Sequence, residues 1–355
     1  MKKILILMLS VIICVTTAVA SETVLEEQKV AYGLYQVARE AKLDADVTFD
    51  DGLSALFERA WHEVGDILTG GLKCIATVLI VSVLCGLVET FLDQSPPMYL
   101  SLVSALSVMG GSIGSVMGMF HLGQAAIEEV NAFSKVLLPS LITAGISSGT
   151  PLGATAQYSA TILFSDVLTT TIISVFLPLI KVFLVAVTAN AAFENQTLGR
   201  IADFLKWIVS GSLKLFLMIF VGYLTTSGLI AATGDMVGVK TAKFAITGVV
   251  PVVGGILADA GETVVAGAMI IKNSIGIVGL LGIFSIILTP FLTLGINYFL
   301  FKIASVLTAP MCNQKLGTLI EQIGGGIGIV FGMTCTCVIL LFISIVSGMF
   351  MIGLV

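Results

Sequence analysis

The sequence predicts an all-α, polytopic helical membrane protein. The 355 residues are 57% hydrophobic and only 11% charged, and the mean hydropathy is +1.09, whereas soluble domains usually carry about 25% charged residues. Several uncharged runs, such as residues 323–355, exceed the roughly 18 to 20 residues that cross a bilayer. Prolines and glycines interrupt the apolar runs, so we also expect broken or re-entrant helices.

Residues 1–20 have the form of a secretory signal peptide. Lys2 and Lys3 precede an apolar run, and Ala18-Val-Ala20 forms a small-residue cleavage site before Ser21. Cleavage there would place the mature N-terminus outside the cytoplasm. The alternative is that this segment is retained as a first helix.

Residues 21–71 are predicted to form a short extracytoplasmic helical region. Apolar residues recur at helical spacing over residues 53–68. This helix either packs on the membrane domain or docks a partner. Phe57 and Trp61 are its largest apolar side chains and are therefore the candidate docking residues.

Residues 72–355 are predicted to form the membrane domain, and we expect seven or eight spans in the mature chain. Gly114 and Gly118 form a G-x-x-x-G pair, which favours close helix contact. An interfacial helix is expected over residues 121–149, leading into a broken piece, with amphipathic connectors over 194–207 and 311–322. The other predicted segments are spans at 72–92, 99–120, 213–232, about 290–309 and 323–355, and two helices within 155–192 that divide near Ser174.

An internal duplication is predicted over about residues 122–232 and 234–350. Pro139 and Pro178 stand at the same spacing as Pro251 and Pro290, and the segment LGRIADFLKWI at Leu198 resembles LGTLIEQIGGG further along the chain. Three spans in each half would make the repeats inverted, as in many transporters. Parallel halves would result if the Pro139 and Pro251 segments cross fully, and chance similarity among apolar sequences is the other explanation.

Residues 239–280 hold an unusual concentration of charge for an apolar chain. The simplest interpretation is a helix that is broken between Pro251 and Gly255, at or inside the membrane. Asp259 and Glu262 share a helix face and either lie at the interface, pair with a lysine, or line a polar path. The candidate structural or gating residues are Lys240, Lys243, Pro251, Gly254, Gly255, Asp259, Glu262 and Lys272.

The sequence does not indicate catalysis, a cofactor or metal site, or nucleic-acid binding. The sequence has no G-x-x-x-x-G-K-[ST], G-x-S-x-G or H-E-x-x-H stretch, so we predict no catalytic residues, no cofactor and no enzyme activity. His62 and His121 are the only histidines, which excludes a histidine-rich metal site, and the six cysteines are expected to be small buried hydrophobes. The chain is not basic enough to indicate nucleic-acid binding.

The charged module resembles the stage III sporulation protein AE family of endospore-forming Firmicutes. The resemblance is carried by VKTAKFA at Val239, PVVGG at Pro251, Glu262-Thr-Val and IKNSIGIVGL at Ile271, and it extends over most of the chain. It implies a multi-pass protein in the mother-cell membrane that surrounds the forespore. It further implies a channel or secretion-like complex with other stage III sporulation A proteins, joined to a forespore membrane protein, that supports late forespore development.

Three functions are weighed on this basis. The first is a non-enzymatic channel or scaffold subunit of the sporulation complex. The second is a secondary transporter that uses Asp259 and Glu262 as a cation or proton site, and the third is a membrane enzyme.

Positive residues in short loops favour the cytoplasmic side, so Lys240, Lys243 and Lys315 are expected there, with Arg200 and Lys206 on the opposite side.

Overall fold

The structure is a computed structural model that describes residues 49–91, 97–147, 151–193, 195–226, 274–309 and 314–351. Within these ranges the regular structure is entirely helical, which confirms the predicted all-α class. The helices in chain order are α1 (Phe49–Phe91), α2 (Pro97–Ser147), α3 (Pro151–Thr171), a π-helical segment (Ile172–Phe176), α4 (Leu177–Phe193), α5 (Gln196–Thr226), α6 (Ser274–Thr308) and α7 (Gln314–Met351).

Six helical stretches in the described residues are long and apolar enough to cross a membrane, and the chain is a multi-pass membrane protein. The segment from α3 through α4 counts as one of these stretches. A seventh or eighth span, as predicted, would lie outside the described residues. The six stretches are Leu56–Val88, Ser101–Pro139, Ser159–Phe193, Gln196–Thr225, Gly279–Thr308 and Lys315–Val346.

Helices that follow one another in the chain alternate in direction, with α3–α4 counted as one, as contacts at two or more levels of the bundle establish. α1 runs parallel to α6 and α2 runs antiparallel to it, while α6 and α7 form an antiparallel hairpin. α3–α4 runs antiparallel to both α5 and α7, so α5 and α7 are parallel. The direction of α1 against α6 follows from Glu63–Thr289 and Gly71–Asn297, and that of α2 against α6 from Gly123–Leu294 and Phe133–Gly282. The α6–α7 direction follows from Gly295–Phe331 and Phe301–Gly324. The direction of α3–α4 follows from Phe164–Phe220 and Asn190–Gly199 against α5, and from Thr161–Ser344 and Leu184–Gly326 against α7.

The bundle therefore has two ends. At the Phe49 end, α1, α3 and α6 begin and α2, α5 and α7 finish. At the Phe193 end, the α4–α5 and α6–α7 hairpins turn and the α1–α2 pair is joined. The chain leaves α5 and re-enters α6 at the same, Phe49, end.

α7 lies at the centre of the bundle, and its glycines allow phenylalanine rings to approach its backbone. Gly326 faces Phe120 and Phe183, and Gly324 faces Phe301, all three rings being fully buried. A Cβ at Gly324 would lie 2.9 Å from the Cβ of Phe301, and one at Gly326 would lie 3.5 Å from the Phe183 ring, in an interior packed at crystal-like density. The glycine-rich start of the predicted last span is thus a packing surface.

The helices are longer than predicted. The helix expected over residues 53–68 and the span expected over 72–92 are one helix, α1, and the interfacial segment over 121–149 continues α2 as far as Ser147. The expected connectors at 194–207 and 311–322 are the first turns of α5 and α7. The charged residues of these segments do not end the helices, because they have good helix propensity and lie on outer faces or in ion pairs.

The helices continue through the prolines and through the division predicted near Ser174. Pro139 lies inside α2 and Pro290 inside α6, and both helices continue through them. The predicted division near Ser174 coincides with the π-helical segment, yet α3 and α4 remain one continuous rod. Pro178 follows this segment and lacks an N–H donor, and a π-helical turn accommodates such a missing helical hydrogen bond.

The Gly114 and Gly118 pair makes no close helix contact within the part of the chain that the structure describes. A Cβ built at either position would meet no described atom within 4 Å. The glycine of α2 that permits close approach is Gly123, which faces Val330, Leu294 and Thr334. Glycine spacing alone therefore did not identify the packed face.

The α4–α5 and α6–α7 hairpins, one in each predicted repeat, run in the same direction. α5 and α7 begin with Gln196-Thr-Leu-Gly and Gln314-Lys-Leu-Gly, each forms the second arm of a hairpin, and the two are parallel. The inverted arrangement does not apply to these hairpins. The duplication itself stays a prediction.

Candidate partner-docking site

The first turns of α1 carry two exposed aromatic residues on one face. Phe57 is 69% exposed and Trp61 is 82% exposed, whereas Leu56 and Ala60 are buried. Residues four apart on a helix lie one above the other. Leu56 and Ala60 therefore share an inner face, and Phe57 and Trp61 share an outer, aromatic face. The predicted helix over residues 53–68 is confirmed, whereas Phe57 and Trp61 as docking residues stay a prediction.

A hydrogen-bonded carboxylate fixes this part of α1 against α6. Thr289 donates its hydroxyl to Glu63 Oε2 at 2.6 Å, and Arg59 Nε donates to Glu63 Oε1 at 2.9 Å. Two turns further along α1, Gly71 lies against Asn297 of α6. These contacts hold the inner face of α1, so Phe57 and Trp61 are presented on a rigid support.

A second polar cluster joins α2 to α3. Lys135 Nζ lies 2.6 Å from Asp166 Oδ1, and Asn131 donates to the same oxygen at 3.1 Å while accepting from Ser165 at 2.9 Å. The Lys135 and Asp166 side chains are about half exposed, so the ion pair itself contributes modestly. Asn131 is the residue that holds both partners on α3.

The contact between Lys135 and Asp166 was not predicted from the sequence. The two residues lie at similar distances before and after the short α2–α3 connection, and an antiparallel hairpin brings such positions together. Their similar spacing from the connection and their opposite charges were the features of the sequence that could have indicated the ion pair. A third ion pair, Lys302 with Glu321, links α6 to α7 in the same way.

Replacing Asn131 with alanine should lower the free energy of unfolding by about 1–2 kcal/mol, because one side chain makes two hydrogen bonds between helices. The matched control is Gln124→Ala on the same helix, where the exposed amide bonds only to Glu128 within α2. Thermal denaturation in detergent of both variants measures the difference. Equal midpoints for the two variants would contradict this assignment.

Charge is distributed unevenly between the two ends of the bundle. Of the nine basic residues in the described ranges, Lys73 and Lys214 lie in the middle of their helices. Arg59 and Lys135 lie toward the Phe49 end. The remaining five lie toward the Phe193 end: Lys181, Arg200, Lys206, Lys302 and Lys315.

This placement corrects the expected separation of Arg200 and Lys206 from Lys315. Because α5 and α7 are parallel, their first turns lie at the same end of the bundle. The acidic residues show the opposite bias. Eight of the eleven in the described ranges lie toward the Phe49 end: Asp50, Asp51, Glu58, Glu63, Asp66, Glu128, Glu129 and Asp166.

The remaining predicted site residues, Lys240, Lys243, Pro251, Gly254, Gly255, Asp259, Glu262 and Lys272, lie outside the described residues. In the part of the chain that the structure describes, no three His, Cys, Asp or Glu residues are grouped so that they could hold a metal ion. Cys74, Cys85, Cys335 and Cys337 are free thiols.

Comparison with known proteins identifies the sequence family. The family model described as stage III sporulation protein AE matches residues 35–351. Stage III sporulation protein AE of Bacillus subtilis (strain 168) is 25% identical over 309 residues, which cover 85% of this chain and 76% of that protein. No solved structure matches the chain.

Proposed function

Because the chain belongs to the stage III sporulation protein AE family, we propose that it is a non-enzymatic membrane subunit of a sporulation channel or secretion-like complex. The complex would lie in the mother-cell membrane around the forespore and support late forespore development. Its partners would be other stage III sporulation A membrane proteins and, through them, a forespore membrane protein. The family is one of sporulation membrane proteins and not a known enzyme family.

The observation that carries a subunit role is the exposed aromatic face of α1. Aromatic residues are enriched in the energetic centres of protein interfaces, and Phe57 and Trp61 stand side by side on a helix whose other face is fixed to α6. This face lies toward the end of the bundle where acidic residues are concentrated. We propose that it docks another component of the complex.

The unequal distribution of basic residues supports an orientation for this face. Lys and Arg within about 15–20 residues of span ends favour the cytoplasmic side, and among the described residues they are concentrated at the Phe193 end. The Phe49 end would then face the space between the mother-cell and forespore membranes. The predicted signal peptide supports the same orientation, because it places the mature N-terminus outside the cytoplasm.

Cysteine labelling tests the orientation in a cysteine-free variant of the chain. A single cysteine at Phe57 should react with a membrane-impermeant maleimide in intact protoplasts. One at Lys315 should react only after the membrane is opened. Reaction of the Lys315 position in intact protoplasts, with the Phe57 position protected, would reverse the proposed orientation.

The complex itself is tested by isolating the tagged protein from sporulating cells and identifying what co-purifies by mass spectrometry. The proposal expects other stage III sporulation A membrane proteins in stoichiometric amounts. Purified protein alone should show no solute flux in vesicles. Flux of a defined solute by the protein alone would favour a transporter instead.

Asp259 and Glu262 are proposed to act in assembly or gating geometry rather than as a transport site. Two carboxylates supply too few oxygens for calcium, which takes about six to eight, whereas a proton site needs only one. Asp259→Asn and Glu262→Gln should therefore lower complex formation modestly, and a compensating change at Lys272 or Lys243 should repair the loss if the charges pair. Normal assembly with abolished, pH-dependent flux in vesicles would instead establish the transporter.

A further inference from the structure

The outer face of α5 combines basic, aromatic and aliphatic side chains in one continuous stripe. Arg200 and Phe204 begin it at the Phe193 end, and Trp207 follows one turn later. Leu215, Met218 and Ile219 continue the exposed face toward the other end. Gly211 occupies the position between Trp207 and Leu215, so the face continues at intervals of three or four residues along one side of the helix.

The aromatic pair at the start of the stripe is ordered and open. Phe204 and Trp207 stack with ring centroids 6.1 Å apart and an interplanar angle of 18°, yet Phe204 is 58% and Trp207 is 69% exposed. Tryptophan is enriched where the bilayer meets water, because its ring is apolar and its N–H is polar. The pair therefore indicates the level of the membrane interface on α5.

Basic groups surround this level. Lys206 extends its ammonium over Gly325 of α7, where a Cβ would come within 3.8 Å of Nζ. Lys302, paired with Glu321, and Lys315 lie at the same end of the neighbouring hairpin. Asp203 is the acidic residue of α5 in this region, so the local balance is positive.

We propose that the start of α5, with Arg200, Phe204, Lys206 and Trp207, binds the headgroup of an anionic phospholipid. The headgroup phosphate would lie against the Arg200 side chain, at the level where Lys206 faces the seam between α5 and α7, and an acyl chain would follow the aliphatic stripe. From Phe204 to Ile219 the stripe is about 22 Å long, more than the roughly 15 Å of hydrocarbon in one leaflet. An acidic protein partner would match the charges but would not require so long an aliphatic stripe.

The chain contains two tryptophans, one toward each end of the bundle, which allows a direct test. Trp61→Phe leaves Trp207 as the reporter, and Trp207→Phe leaves Trp61 as the matched control. Each variant is reconstituted in vesicles that carry brominated acyl chains either on phosphatidylglycerol or on phosphatidylcholine, at equal mole fraction. Quenching of tryptophan fluorescence measures which lipid is in contact.

Trp207 should be quenched with a phosphatidylglycerol preference of roughly fivefold, the effect expected for one basic residue near a headgroup. Trp61 should show no such preference. Arg200→Gln with Lys206→Gln should abolish the preference of Trp207, while Arg59→Gln, which removes a basic residue from the other end, should leave it unchanged. Size-exclusion profiles check that each variant is folded.

Equal quenching of Trp207 by the two lipids in the Trp61→Phe protein would overturn the proposal, without any need for the double variant. Absence of quenching by either lipid would also overturn it, because the aromatic pair would then not contact acyl chains. Neither result would bear on co-purification of sporulation proteins, so failure here is distinct from failure of the proposed function.

Discussion

Replacing Gly123 with leucine is expected to cost about 3 kcal/mol of folding free energy or more, the largest effect of any single substitution considered. Gly123 lies where α2 meets both α6 and α7, and a Cβ there would overlap the Val330 side chain and contact Leu294 and Thr334. Val330 and Leu294 are fully buried, so they have no free space into which to move. Overpacking of such a site typically costs 1–3 kcal/mol and sometimes more.

Gly118→Leu and Gly114→Leu are the matched controls, since they make the same chemical change on the same helix. A side chain at either position meets nothing within 4 Å, and leucine has the higher helix propensity. Thermal midpoints in detergent and the amount of membrane-extracted protein should therefore fall for Gly123→Leu and not for the controls. A lower midpoint for Gly118→Leu than for Gly123→Leu would show that α2 packs through the other face.

Truncating Phe57 and Trp61 together to alanine is expected to weaken docking of the partner by at least about 30-fold. One central aromatic residue of an interface commonly contributes about 2 kcal/mol or more, and 2 kcal/mol corresponds to about that factor. Because both side chains are largely exposed, their loss should leave the stability of the isolated protein within about 0.5 kcal/mol of the parent. Co-purification from sporulating cells, normalised to protein abundance, measures the effect.

Phe193→Ala is the control for this experiment, because Phe193 is also an exposed aromatic residue but lies at the opposite end of the bundle. It should leave assembly unchanged. If the Phe57/Trp61 double variant assembles normally at normal abundance, the aromatic face of α1 does not dock a partner. The beginning of α1 would then serve only to position the helix on α6.

The sequence was sufficient for the class of fold and for the location of most apolar segments, because both depend on local composition. It was insufficient for helix lengths. In the structure Glu63 and Lys135 lie inside continuous helices, where Glu63 accepts a hydrogen bond from Thr289 of α6 and Lys135 pairs with Asp166 of α3. Whether a charge ends a span or pairs beside it depends on which helix packs next to it, and a single sequence does not contain that information.

The candidate site divides in the same way. The helix over residues 53–68 was predicted because helical periodicity is local, and the docking role of Phe57 and Trp61 stays a prediction. The Asn131, Ser165 and Asp166 cluster was missed because it requires the α2–α3 hairpin to form in the correct register. Gly123 was likewise missed in favour of Gly118, since the number of glycines does not reveal which of them faces a neighbour.

The shared direction of the α4–α5 and α6–α7 hairpins bears on how such a protein could have arisen. If these hairpins descend from one duplicated unit, the axis that relates them runs through the bilayer from face to face, and both copies inserted in the same sense. An ancestral half would then have needed only one orientation in the membrane. Inverted repeats require an ancestor that inserted both ways, and they commonly support exchange between inward-open and outward-open states. Two hairpins that run in the same direction instead present the same end to the same side of the membrane. This arrangement is compatible with a subunit that keeps one fixed orientation between two compartments.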